Sequence, residues 1–251
     1  MGLLKILSAV AHKKLDSSAT VLVAKTPTPL NLHQGSVVKL PEVDLALAQV
    51  DGSIIKLPTG DQVVSAVGRY SLFGKSIYHV YLGDGSNYLQ LVCTGTEQDP
   101  VVEEVRLWSN YAEVVPQTAQ DWEFWLGSYQ KNSAGEFVRD ENGNSLRAET
   151  GLIGWTQFQI DGPPPVVYDR AWYSSAVGVD PVSYTETIVS SNTTVSRVKH
   201  EAMEYHRLLT SDANGTVESL LATTSQTSDE AGINIWVGIK LNAAELKVLA
   251  A

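Results

Sequence analysis

The chain has 251 residues, 43% of them apolar, a formal net charge of −10 and a single cysteine, Cys93. That length and apolar content exclude global disorder and suit one large β-rich domain or two small ones. The longest apolar runs, such as Val21–Ala24 and Ile153–Trp155, fall far short of the roughly 20 residues of a membrane-spanning helix, and one thiol makes neither an internal disulfide nor a metal cluster, which fits a reducing cytoplasm.

Leu3, Ile6, Leu7 and Val10 recur at helical spacing beside Lys5, Lys13 and Lys14, which predicts an amphipathic helix over residues 2–15. No charged stretch precedes its apolar residues and no small-residue cleavage site precedes Lys13, so the segment is expected to be retained. It docks on its own domain or on a second subunit, or it lies on a membrane surface, the other use of a basic amphipathic helix. Ser17–Gly35 is Thr/Pro-rich and reads as an extended linker. Residues 1–35 therefore form an N-terminal arm and 36–251 a single β-rich domain, with 174–194 as the place for a divide between two sub-sheets.

From Ser36 the chain reads as strands. Ser36–Leu40 comes first; Leu45–Val50 and Ile54–Leu57 flank Asp51-Gly52, a hairpin signal; Gln62–Leu72 follows. Ile77–Leu82 and Tyr88–Cys93, rich in β-branched and aromatic residues, close on the turn Gly83–Ser86. Val102–Trp108 is a further strand. The period then changes: Thr118 with Asp121 three residues on, an aromatic stripe of Trp122, Trp125 and Leu126, and Gly127 predict a short capped helix. Beyond the turn-rich stretch 131–147, with its loop tip at Asn142-Gly143, Leu152–Ile160 and Val166–Trp172 form a hairpin whose loop is fixed by Pro163, Pro164 and Pro165. Val195–Leu209 fits helix or strand; the strand is preferred because Asn214-Gly215 and Val217–Thr223 complete a hairpin. Ile233–Leu241 is a strand, and Asn242 with Glu245 opens a short C-terminal helix over 242–249. The expected fold is α+β: mainly antiparallel, hairpin-rich sheets with a few short helices, one at each end.

No catalytic, cofactor-binding or metal-ligating set emerges. His200 and His206 resemble a zinc-binding pair in outline, but they lie about 240° apart on a helix or roughly 20 Å apart on a strand, so they cannot share an ion. Gly-x-Ser-x-Gly and phosphate-loop motifs are missing; Ser86 belongs to a turn; Cys93 has no basic or helix-terminal setting to lower its pKa. Glu103-Glu104 and Asp121 with Glu123 are pairs that any acidic protein offers. Residues 41–150 carry 7 basic against 16 acidic side chains, so binding nucleic acid through a basic face is not expected.

Five of six tryptophans, Trp108, Trp122, Trp125, Trp155 and Trp172, fall within 65 residues. They are either the centre of a core or an aromatic binding face. The sharpest polar element is Arg170, which on a strand shares a face with Tyr168 and Trp172, where it can stack and still bind a carboxylate or bridge to an acidic neighbour. Tyr168, Arg170, Trp172, Trp122 and Trp125 are the candidate interaction surface.

Asp121–Gly127, Gly151–Gly154 with the Phe158 strand, Tyr168–Trp172, Glu204–Arg207 and Val237–Leu241 together resemble the bacterial YjfK-like family of unknown function, over roughly residues 40–245. The resemblance implies a bacterial protein without assigned activity, and an accessory role beside a coiled-coil membrane-stress protein resembling phage-shock protein A. The reading is a non-enzymatic interaction or accessory protein, cytoplasmic or peripheral to the inner membrane. It has a protein partner or self-associates, and touches membrane only through residues 2–15. The alternatives are a small-ligand or carbohydrate-binding β module and, third, an uncharacterised hydrolase.

Overall fold

Ile77–Leu82 buries six successive residues, not alternate ones, so both faces of the sheet it belongs to are covered. A closed barrel supplies one cover, its own lumen, and packed segments outside supply the other. The computed structural model describes residues 28–96, 99–139, 141, 145–191, 194–209 and 216–249; the expected helix over 2–15, the loop tip at Asn142-Gly143 and the Asn214-Gly215 turn lie outside them.

In chain order the elements are β1 (Val37–Lys39), α1 (Glu42–Val50), β2 (Gln62–Leu72), β3 (Lys75–Leu82), β4 (Asn87–Gly95), β5 (Pro100–Val114), α2 (Ala119–Leu126), β6 (Gln157–Ile160), β7 (Val166–Arg170), β8 (Val182–Ser191), β9 (Thr194–Leu208), β10 (Val217–Gln226), β11 (Ala231–Leu241) and β12 (Lys247–Leu249). Strands β2, β3, β4, β5, β11, β10, β9 and β8 pair antiparallel in that order, and β8 returns to β2 through Val67↔Val189, Gly68↔Ile188 and Arg69↔Thr187. The result is an eight-stranded closed antiparallel barrel, with 52% strand and 11% helix among the described residues, which corrects the expected α+β arrangement of hairpin sheets. Hairpin signals are local, whereas the closing β2–β8 pair joins segments more than a hundred residues apart and leaves no turn signature.

Three local expectations are also corrected. Glu42–Val50 is a helix and not the first arm of a hairpin, because Glu42 and Asp44 occupy its first turn and Leu45 and Ala48 face inward at helical spacing. Ile54–Leu57 accordingly forms no strand. The C-terminal helix reduces to a single 3-10 turn, Ala243–Glu245, whose cap is the Asn242 side chain accepting from Ala244 N; Lys247–Leu249 then pairs with β1. Leu152–Thr156 is turn rather than strand, with Gly154 at φ 133°, a conformation open to glycine alone. Helix α2 forms as its sequence requires: Thr118 accepts from Asp121 N, and Asp121 accepts from Thr118 N.

Alternation divides the buried residues into two sets. Val80, Leu82, Leu89, Leu91, Val105, Leu107, Val237 and Ile239 point outward, under α1, α2, the Ile54–Leu57 strap and the β6–β7 hairpin. Tyr70, Ile77, Tyr81, Tyr88, Trp108, Tyr184, Leu221 and Trp236 point into the lumen. Eight strands leave an interior of a size that side chains fill, and here large aromatic rings fill it.

Candidate functional site

Two places concentrate polar or aromatic chemistry: the lumen, and the loop after β7. In the lumen, Glu186 of β8 is fully buried. Desolving a carboxylate costs several kcal/mol unless donors replace water. Three side chains do so. Tyr81 Oη donates to Oε1 and Oε2 at 3.0 Å each, His79 Nδ1 lies 3.1 Å from Oε1, and His200 Nε2 lies 3.1 Å from Oε2. Burial by itself raises the carboxyl's pKa, but the charge and hydrogen bonds of His79 and His200 outweigh it and hold Glu186 well below the usual carboxylate range.

Proton positions follow from the groups at the ends of the chain. Trp108 Nε1–H, a donor only, bonds Gln90 Oε1 at 3.2 Å, so the Gln90 amide nitrogen donates to Tyr70 Oη at 3.2 Å. Tyr70 Oη lies 3.0 Å from His79 Nε2, while His79 Nδ1 faces Glu186. On the other side, His200 Nδ1 bonds the Thr224 carbonyl at 2.8 Å, and a carbonyl only accepts. With the carboxylate accepting at Nε2, His200 carries a proton on both nitrogens and forms the counter-ion of Glu186. Tyr184 stacks on Tyr70 and on His200, with centroids 4.2 and 4.9 Å away, and shields the pair. Burial raises the Tyr70, Tyr81 and Tyr184 hydroxyls, in Tyr81 and Tyr184 first by desolvation and then through the negative charge of Glu186, in Tyr70 by desolvation and then by Tyr184 and Tyr88 ahead of Glu186, so they stay protonated. Only about 10 Å³ remains open among these groups, room for about one water.

Gly68 completes the arrangement. A Cβ at this position would lie 1.7 Å from Glu186 Oε1, so a bare backbone is what admits the carboxylate. Two further buried carboxylates tie elements to the barrel. Glu218 accepts from Tyr168 Oη at 2.6 Å, Arg207 Nε at 2.7 Å, Ile54 N at 2.8 Å and Ser53 Oγ, which fixes the Ser53–Leu57 strap outside. Glu204 pairs with Arg106 at one end of the lumen.

The sequence-derived surface residues separate. Tyr168 is fully buried and spent on Glu218. Trp122 and Trp125 are partly buried against the outer core, Trp125 stacking on Phe158 at 6.5 Å. Arg170 gathers backbone carbonyls: Nη1 donates to Gly154 O at 2.7 Å, Nη2 to Val177 O at 3.0 Å and to Ser175 O, and Nε to Tyr173 O at 3.3 Å. Its role is to fold the loop 171–179. That loop meets the β2–β3 turn, where Phe73 packs edge-on against Trp172 at 5.6 Å and Tyr173 at 6.3 Å. Phe73 and Tyr173 are 59% and 50% exposed, and both occupy left-handed backbone, φ 49° and 63°. Beside them Tyr173, Ser174, Ser175, Val179 and Asp180 line an open groove. The remaining tryptophans divide likewise: Trp108 and Trp236 lie in the lumen, while Trp155 is half exposed.

The lumen network escaped the sequence reading, although one signal was present: Glu186 alternates with Tyr184 and Ile188, a lone acid on an otherwise apolar face. No helix among the described residues is long and apolar enough to cross a membrane, and no group of three metal-ligating side chains is found among them. No curated protein and no solved structure matches the chain. A family of proteins of unknown function, DUF2491, matches residues 10–145 and 144–247, and the chain belongs to it.

Proposed function

We propose that the protein is a non-enzymatic accessory protein that recognises a protein partner through the aromatic rim of Phe73, Trp172 and Tyr173. The observation that carries this reading is the exposure of Phe73 and Tyr173 on left-handed backbone. Bulky residues in that region cost about 1–3 kcal/mol each, and such strain gathers at sites of function. Aromatic anchors dominate protein interfaces, and a loop already folded by Arg170 loses little freedom on docking. A lumen packed with side chains also supports interaction over catalysis, since its ionisable groups are closed off from any substrate. The resemblance to the YjfK-like family supports a bacterial, cytoplasmic setting beside a membrane-stress protein.

The groove beside the rim favours a second reading, a small-ligand or carbohydrate-binding module, because an aromatic ring next to Ser174, Ser175 and Asp180 suits a sugar. Affinity capture from the native host with wild type and with Phe73→Ala/Tyr173→Ala, followed by titration of the purified captured protein, separates the readings. The double variant is expected to bind at least tenfold more weakly with an unchanged melting temperature. Equal binding by the variant sinks the rim as the interface, and turnover of a substrate in a broad hydrolase and transferase screen sinks the non-enzymatic reading. Saturable quenching of tryptophan fluorescence by a sugar panel, lost in the variant, moves the conclusion to the second reading.

A further inference from the structure

Helix α1 is apolar on two faces. Leu45 and Ala48 are buried against the barrel, while Val43, Leu47 and Val50, at i, i+4 and i+7, form an outward stripe that is 63%, 56% and 80% exposed. Three large apolar side chains stand in one contiguous row on a nine-residue helix and are not scattered singly over the surface. The charge around the row is one-sided. Glu42 and Asp44 stand in the first turn, the last turn holds no basic residue, and Asp51 follows at the C-cap. The carbonyl end of a helix favours cations, and this helix supplies none of its own. Arg207 Nη2 donates to Gly52 O at 2.9 Å, and the same side chain pairs with Glu218 and lies over the Tyr168 ring; Lys39 pairs with Glu42 at the opposite end, and Asp44 accepts from Asn242 N at 2.7 Å.

We propose that the N-terminal arm of this chain, residues 2–15, docks on the Val43–Leu47–Val50 stripe. Its composition complements the stripe in both respects: Leu3, Leu4, Ile6, Leu7 and Val10 match the apolar row, and Lys5, Lys13 and Lys14 match the acidic border. The connection is long enough. Residues 16–27 span up to about 40 Å when extended, and the described chain begins at Thr28, ahead of Leu32, which is buried in the same outer core as Leu45 and Ala48. Tethering sets an effective concentration of about 1 mM, so even an intrinsic affinity of about 0.1 mM leaves the arm docked in roughly ten chains of eleven. A second copy of α1 is the poorer occupant, because its own acids would face Glu42, Asp44 and Asp51.

The test is backbone hydrogen exchange across residues 43–51 in the full chain, in a chain lacking residues 1–16, and in full-chain Leu47→Asp, with mass measured in solution. Exchange is expected to be about tenfold slower in the full chain than in the truncated one. Adding a peptide of residues 1–16 in millimolar excess restores the slow rate, and Leu47→Asp abolishes it. Leu47 is more than half exposed, so Leu47→Asp retains the wild-type near-ultraviolet tryptophan signal, which verifies folding. Equal exchange in full and truncated chains overturns the proposal. So does protection that depends on protein concentration and accompanies a doubled mass, which would assign the stripe to a second copy, or protection that arises only with anionic vesicles, which would assign the arm to a membrane.

Discussion

Glu186→Ala is the sharpest test of the lumen network. The substitution removes the acceptor of Tyr81, His79 and His200 together and leaves a protonated imidazole buried without its counter-ion. Breaking a buried ion pair from one side costs about 3–5 kcal/mol. For a domain of this size each kcal/mol lowers the melting temperature by about 2–4 °C, so a drop of roughly 6–20 °C is expected. Glu186→Gln is milder, because His200 can release the Nε2 proton, keep the Nδ1 bond to Thr224 and accept from the new amide. Urea unfolding followed by tryptophan fluorescence reads both variants, since Trp108 and Trp236 line the lumen. The pH dependence gives an independent check. The folded pKa of Glu186 lies below that of the unfolded chain, about 4.3, so in acid the unfolded state binds the extra proton. Its contribution is complete above pH of about 4.3 and is lost as pH falls toward the folded value. Over that window wild type should lose about 1.4 kcal/mol per pH unit more than Glu186→Gln. Glu186→Ala unfolding within about 1 kcal/mol of wild type, or parallel acid profiles for wild type and Glu186→Gln, would refute the network as a source of stability.

Gly68→Ala should destabilise about as much as Glu186→Ala, because its Cβ takes the space of Oε1, and the two losses should not add in the double variant. A strictly additive double-mutant cycle contradicts that geometry. Arg170→Ala frees the carbonyls of Gly154, Tyr173, Ser175 and Val177, so limited proteolysis should cut within 171–179 while the barrel strands keep their slow hydrogen exchange; an uncut loop counts against Arg170 as its organiser. Burial pushes the Cys93 thiol up to about 11, with Glu103 adding to the rise, and the side chain is fully covered. A thiol-reactive dye should therefore label it only through unfolding, and about 150- to 5,000-fold faster in Glu186→Ala when reclosing outpaces labelling. Labelling of the native wild type at the rate of a free thiol rules this out.

What the sequence revealed and what it withheld divide along a physical line. Gly83–Ser86 with its flanking strands and the Thr118–Asp121 box are legible because every interaction involved lies within a few residues, and both form as read. Leu45–Val50 was misread because a short apolar run fits either period, and the deciding features, acids in the first turn and a barrel wall beneath Leu45 and Ala48, are one local and one remote. Closure is wholly remote: β8 carries no signal that its partner is β2. The same remoteness hid the lumen. His79, Glu186 and His200 sit on β3, β8 and β9 and become neighbours only once the barrel closes, and Gly68 resembles any other strand glycine until Glu186 lies against it. The tryptophan block shows how a sequence cluster dissolves under such constraints. Trp108 joins Trp236, far along the chain, inside the barrel; Trp122 and Trp125 hold a helix to its outside; Trp172 joins Phe73 at the rim. Chain proximity therefore marked a region rich in aromatic side chains, while closure of the barrel decided which of them hold the fold together and which are left exposed.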